Sequence, residues 1–272
     1  MSFETLAATA DGPVGYLTLD RPARLNALGP RTMQELVEAA QWFDTQDHVR
    51  VVVLSGRGRA FCAGADLKDP PTAGSAPDSG HPWARRREIG QLGLRMADAV
   101  ERMRAVTVAR LHGYVVGGGL VLASACDLRV AAEDTVFSIP EVDLGIPLAW
   151  GGIPRLVREI GPAMTKELVM TCRRFSAAEA RALGFLNRVV PGGELDETVA
   201  ELAAGVAEKP VVPVVITKDH VNAVVRNMSG AASAFADGDV LMGISRDPDS
   251  QAAREAYARR VFGGGDPAPD GS

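Results

Sequence analysis

The apolar residues of this chain switch period in a fixed order. Residues 15–20 and 50–55 are short runs of the kind that form strands, while Met33, Leu36, Val37, Ala40 and Phe43 between them fall on one face at helical spacing. The order returns downstream: residues 106–111 read as a strand, 119–125 as a short helix and 128–132 as another strand. A chain that alternates in this way builds a layered α/β core. No repeat at a fixed period accompanies it in the sequence itself.

From Ser176 the pattern changes. Ser176 and Glu179 have capping-box spacing, Gly184 can close that helix in a left-handed cap, and 186–190 reads as a strand followed by little but helix. Residues 211–216 are ambiguous, since their β-branched side chains favour a strand while Pro210 and Pro213 oppose a central one. Residues 69–82, rich in Pro, Gly, Ser and Asp, read as a mobile surface loop near a site rather than part of one. Residues 263–272 carry no core residue and read as a disordered tail.

With 272 residues, 46% of them hydrophobic, the chain can bury a large core. A net charge of -5 argues against a nucleic-acid partner, which calls for a concentrated positive field. Cys62, Cys126 and Cys172 lie far apart and form no CxxC pair, so neither a disulfide framework nor a metal site is signalled, and a reducing cytoplasm fits best. Residues 1–11 contain Glu4 and no apolar core, unlike a secretory signal. The most apolar stretch, 105–126, is broken by Arg110, His112 and Gly117 to Gly119, which argues against a membrane span.

Three segments could build a site, and each has a plainer reading beside the functional one. In Ala60-Phe61-Cys62-Ala63-Gly64-Ala65-Asp66-Leu67, small side chains allow a ligand close to free N–H groups before a helix-capping aspartate; the same composition suits a tight strand-to-helix turn. In His112 to Val121, three glycines open an apolar helix and expose N–H groups that welcome negative charge; they could equally serve backbone packing. Neither a GxGxxG fingerprint nor a Walker lysine occurs there. In Ile139-Pro140-Glu141-Val142-Asp143-Leu144-Gly145-Ile146-Pro147, a carboxylate among apolar residues and prolines suits proton transfer near neutral pH, or else caps or pairs at the surface.

Taken together and in this order, the three segments resemble the crotonase family, the enoyl-CoA hydratase/isomerase superfamily. Arg21-Pro22 with Leu25-Asn26-Ala27-Leu28 resembles that family's N-terminal signature, and 176–190 its late helix and strand, so the likeness covers about residues 5–260. The resemblance implies an α/β spiral of ββα units over 1–195, a C-terminal helical oligomerisation region over 196–262, and a homotrimer or a hexamer built as a dimer of trimers. It implies an acyl-CoA substrate, with CoA part of the substrate and no separate cofactor. The N–H groups of Ala65 and Gly118 would form an oxyanion hole. Ala63, Ala65, Asp66, Leu67 and Lys68 would line the CoA path, Gly117 and Val121 would adjoin the substrate, and Arg24 would meet the CoA phosphates.

The family's hydratases use two glutamates. Here Glu141 matches the second, but Val121 stands at the first position, and valine cannot hold a water. Hydration needs two carboxylates, whereas one base can carry a proton from C2 to C4, so Δ3,Δ2-enoyl-CoA isomerisation is the expected reaction. A hydratase of altered efficiency and a non-catalytic acyl-CoA binding protein are the alternatives. The dienoyl-CoA isomerases of the family use a further aspartate where this chain has Ala149. Among other polar residues, Asp143 reads as structural and Arg85 to Arg87 as a solvated helix start. His112 reads as a satisfied core histidine, and Asp78-Ser79-Gly80-His81 as loop rather than hydrolase machinery.

Overall fold

A computed structural model describes residues 2–71, 73–75, 79–229, 236–244 and 247–262. The N-terminal part runs β1 (Leu6–Thr9), β2 (Val14–Leu19), α1 (Pro30–Asp44), β3 (Val51–Gly56), α2 (Trp83–Gly90) and α3 (Leu92–Glu101). Next come β4 (Val106–Leu111), β5 (Tyr114–Val116), α4 (Gly118–Ser124), β6 (Leu128–Ala132), β7 (Val136–Ser138) and α5 (Gly152–Thr171). The chain finishes with β8 (Phe175–Ser176), α6 (Ala177–Ala182), β9 (Arg188–Val190), α7 (Leu195–Ala207), α8 (Val211–Ser229), α9 (Asp237–Ile244) and α10 (Pro248–Phe262). Among the described residues no helix is long and apolar enough to cross a membrane.

The larger sheet has the order β1-β2-β3-β4-β6-β9, antiparallel at β1 and parallel elsewhere; β5, β7 and β8 form a second, small sheet. A strand in the large sheet, a strand in the small one and then a helix describes both β4-β5-α4 and β6-β7-α5. This is the expected α/β spiral of ββα units, a repeat of structure that leaves no periodic trace in sequence. The chain swings from β4 into β5 at Gly113, whose φ is +59 and where a Cβ would lie 2.0 Å from the Arg59 carbonyl oxygen. Only glycine fits so close an approach.

The central strands are covered on both faces, which is why their sequences are runs of Val and Leu rather than an apolar-polar alternation. Val52 and Leu54 of β3 face the main core with Leu36 and Phe43 of α1 and Met96 of α3, whereas Val51 and Val53 face Val199 and Ala203 of α7. The ambiguous 211–216 segment is the start of α8. Prolines before and within the first helical turn remove N–H groups that have no intrahelical partner, so they oppose a strand without opposing this helix. Ser176 caps α6 by accepting the Glu179 N–H at 3.1 Å, but the Glu179 side chain pairs with Arg173 instead of closing the box. Residues 263–272, read as a tail, lie outside the described residues.

The Arg21 to Leu28 segment holds its shape through Asn26. This side chain is buried, its backbone is left-handed (φ +57), its Oδ1 accepts the Arg21 N–H at 3.0 Å, and its Nδ2 donates to the carbonyls of Arg57 and Ala60 at 2.9 and 2.8 Å. Asparagine tolerates that backbone better than other residues with a Cβ. Asn26→Ala strands three backbone groups, one buried and two part-buried, and keeps the unfavourable φ. It is expected to lower unfolding free energy by about 3 kcal/mol, read as a lower denaturant midpoint at unchanged slope.

Candidate active site

Residue 62 joins the small sheet: the Cys62 N–H donates to Tyr114 O at 3.1 Å and the Val116 N–H donates to Cys62 O at 3.0 Å. The chain then bends at Gly64 (φ +89), where a Cβ would sit 2.9 Å from Val116 O and 3.5 Å from the Gly118 nitrogen. Behind the bend, the Ala63 N–H donates to Leu25 O at 3.0 Å, the Leu28 N–H to Gly64 O at 2.8 Å, and the Asp66 N–H to Leu28 O at 3.1 Å. These bonds occupy the amides on either side of Ala65. Its own N–H has no acceptor among the described residues and points away from Leu28, as parallel pairing requires.

The three glycines each meet a different neighbour. A Cβ on Gly117 (φ +50) would lie 2.4 Å from Glu141 Oε1, on Gly118 2.1 Å from the Trp150 ring, and on Gly119 2.6 Å from Cys62 O. The Gly117 N–H donates to Ser138 O at 2.9 Å, whereas the Gly118 N–H, first in α4, has no acceptor among the described residues. Packing and ligand approach are therefore not alternatives here. Packing against Glu141, Trp150 and Cys62 seats Gly118 on the wall of the cavity that Ala65 also lines.

Glu141 lies in the turn that follows β7, held by the Ile146 N–H donating to Glu141 O at 3.0 Å and the Leu144 N–H to Pro140 O at 3.1 Å. Its side chain is buried, and Oε2 has no hydrogen-bond partner among the described residues. Burial without a countercharge pushes its carboxyl up to about 7. Asp66 shows the opposite case. Burial raises its pKa too, but the Lys68 N–H at 3.0 Å and the Arg21 guanidinium at 2.9 Å outweigh that and hold it below the usual carboxylate range. Burial also pushes the Cys62 thiol up to about 12, which keeps it protonated near neutral pH.

These groups border one cavity of about 440 Å³. Of the residues expected from sequence, Ala63, Ala65, Asp66, Leu67, Gly117, Gly118 and Glu141 all line it. Arg24 and Lys68 are exposed and Val121 is buried in the core, none of the three on the cavity wall. Asp66 caps a turn, not a helix: its Oδ1 accepts the Lys68 N–H at 3.0 Å while its Oδ2 pairs with Arg21 at 2.9 Å. Pro70, Pro71 and Ser75 also line the cavity, so part of the 69–82 segment builds the site that it was expected only to adjoin; residues 72 and 76–78 lie outside the described residues.

Elsewhere the plain readings hold in part: Arg85 is solvated as expected, whereas Arg86 and Arg87 are half-buried. Arg85 pairs with Glu88 at 2.6 Å and Arg87 with Asp239 at 3.1 Å; Asp143 pairs with Arg260 at 3.3 Å. His112 is half-buried between Gly58 O at 2.8 Å and the Arg110 guanidinium at 3.0 Å. Sequence reasoning missed the wall contributed by Leu241, Met242, Arg254, Tyr257 and Ala258 of α9 and α10, and by Trp150. The α9 and α10 residues belong to no motif and reach the cavity only by tertiary packing.

The raised Glu141 carboxyl links stability to pH. With a folded value near 7 against an ordinary 4.5, the folded state holds the proton more tightly, so this stabilisation is complete below pH 4.5 and is lost as pH rises through 7. Glu141→Gln removes the dependence. The variant's stability relative to wild type should therefore improve between those pH values by on the order of 3 kcal/mol and stay level above them, measured by urea unfolding across pH. A pH-independent difference would contradict a buried, unpaired carboxyl.

The sequence profile of the Enoyl-CoA hydratase/isomerase family matches residues 9–261. The chain is 36% identical over 223 residues to the peroxisomal Delta(3,5)-Delta(2,4)-dienoyl-CoA isomerase of Arabidopsis thaliana, covering 80% of each protein. It is 39% identical over 201 residues to the carnitinyl-CoA dehydratase of Salmonella typhi, covering 74% of this chain and 73% of that one. Its fold is similar to the crystal structure of an enoyl-CoA hydratase/isomerase from Xanthobacter autotrophicus Py2, with a TM-score of 0.83, 27% identity and coverage of 96% and 94%. Paired free amides, a buried glutamate and a profile match over nearly the whole chain agree: this protein belongs to the enoyl-CoA hydratase/isomerase family.

Proposed function

We propose that the chain catalyses Δ3,Δ2-enoyl-CoA isomerisation, with Glu141 as its single acid/base and the N–H groups of Ala65 and Gly118 as the oxyanion hole. The observation that carries this reading is the inequality of the two carboxylates on the cavity wall. Glu141 is buried, unpaired and raised to about 7, while Asp66 is committed to Arg21 and to backbone amides. One side chain can therefore exchange protons near neutral pH. Val121 occupies the position where the family's hydratases carry their other glutamate, and it lies in the core.

In the proposed reaction the thioester oxygen of a 3-enoyl-CoA accepts hydrogen bonds from Ala65 and Gly118. Glu141 removes a proton from C2, and the C2–H electron pair moves into a dienolate whose oxygen carries the negative charge. The protonated Glu141 then returns that proton to C4, leaving the double bond between C2 and C3. Donors aimed at the developing oxyanion in a dry cavity stabilise it by about 3 kcal/mol each. The chemistry needs no cofactor, since CoA is part of the substrate.

Hydration is the second reading, favoured by relatives whose names include dehydratase and hydratase. Products distinguish the two. Incubation with a 3-enoyl-CoA should give the 2-enoyl-CoA, and incubation with a 2-enoyl-CoA should give little 3-hydroxyacyl-CoA, both followed by absorbance and mass; predominant hydration would overturn the isomerase reading. Glu141→Ala should cut turnover about a hundred- to ten-thousandfold while acyl-CoA binding persists. Because the base must be ionised, kcat/KM should rise with pH through about 7. Unchanged function in that variant would favour a non-catalytic acyl-CoA binding protein.

A further inference from the structure

The Arg21 guanidinium reaches two segments of chain at once. Its Nη1 donates to Ala27 O at 2.7 Å, and its Nη2 pairs with Asp66 Oδ2 at 2.9 Å. Ala27 precedes Leu28 and Asp66 follows Ala65, and Leu28 and Ala65 form the isolated parallel bridge behind the bend. One side chain therefore spans the pairing that carries the Ala65 amide. A planar guanidinium can serve two acceptors in fixed directions, which a lysine ammonium does less well. Arg21 is itself held by its own N–H, which donates to Asn26 Oδ1 at 3.0 Å.

Charge gives the same contact a second effect. Asp66 is buried and lines the cavity that Ala65, Gly118 and Glu141 also line, while its Oδ1 is anchored by the Lys68 and Asp69 N–H groups at 3.0 and 3.3 Å. An unpaired carboxylate so placed would repel negative charge developing at the adjacent Ala65 amide, and poorly screened repulsion is strong. Arg21 supplies the countercharge.

We propose that Arg21 is a positioning residue of the oxyanion hole, holding the Ala65 amide in place through the Leu28 bridge and cancelling the Asp66 charge beside it. It acts through these two residues and is not on the cavity wall itself. The inference rests on the oxyanion-hole reading given above. Donors in such a hole act on charge that develops only in the transition state, so their misalignment lowers kcat and kcat/KM together and leaves KM nearly unchanged.

The test is steady-state turnover of a 3-enoyl-CoA by wild type, Arg21→Gln, Arg21→Lys and the double variant Arg21→Gln/Asp66→Asn, each checked for folding by circular dichroism. In Arg21→Gln, kcat should fall about ten- to a hundredfold while KM stays within about twofold. The double variant should recover about threefold or more of that loss, because no uncompensated charge remains. Arg21→Lys keeps the charge without the two-way reach and should fall between wild type and Arg21→Gln. If Arg21→Gln does not fold, Arg21→Lys decides the matter. Wild-type kcat in a folded Arg21 variant, or a double variant no faster than Arg21→Gln, overturns the positioning role and leaves the isomerase reading standing. A wild type that hydrates 2-enoyl-CoA but does not isomerise overturns the isomerase reading alone, and the same comparison is then made on hydration. Turnover of neither substrate overturns both.

Discussion

Two backbone hydrogen bonds, Cys62 N–H to Tyr114 O and Val116 N–H to Cys62 O, tie the strand leaving β3 to β5. They bring together two bends that are distant in sequence. Each bend then leaves one amide without an acceptor among the described residues: Ala65 because its neighbours are bonded to the Arg21 to Leu28 segment, Gly118 because it opens a helix. Two backbone amides can be no better placed than the pairing that positions them. That pairing relies in turn on Gly113, where only glycine lets the chain pass Arg59 on its way between the two sheets.

Around these amides the polar groups are handled in two ways. Asp66 is neutralised by Arg21, and Glu101 by Arg155 and Arg158 at 2.5 Å each, so burial is offset by paired charge. Glu141 receives no such partner among the described residues. It is shielded by apolar residues and by a glycine that admits its carboxyl against bare backbone, which raises its proton affinity to near neutrality. The contrast sets carboxylates held in ion pairs apart from one whose carboxyl lies near neutrality.

The C-terminal helices are the part of the site that sequence reading did not reach. Asp237, whose carboxyl is pushed up by burial, ties α9 to Gly151, while Tyr257 and Arg254 of α10 face the cavity. No local pattern marks these residues, because a cavity wall selects for size and polarity at scattered positions rather than for a motif. Trp150 carries no motif either: its left-handed backbone (φ +59) and its seat against Gly93 and Gly118 are set by packing.

Periodicity was enough to identify the α/β class, the strands at 106–111 and 128–132 and the helix between them, because alternating burial is written directly in residue order. The three site segments were legible for a similar reason: glycine, alanine and proline act on their own local backbone. What tertiary structure alone decided was convergence. Whether an amide is left free, whether a carboxylate finds a countercharge, and which distant helices close the cavity depend on contacts between residues far apart in the chain. Those are set by how the layers pack, and local propensity carries no record of them.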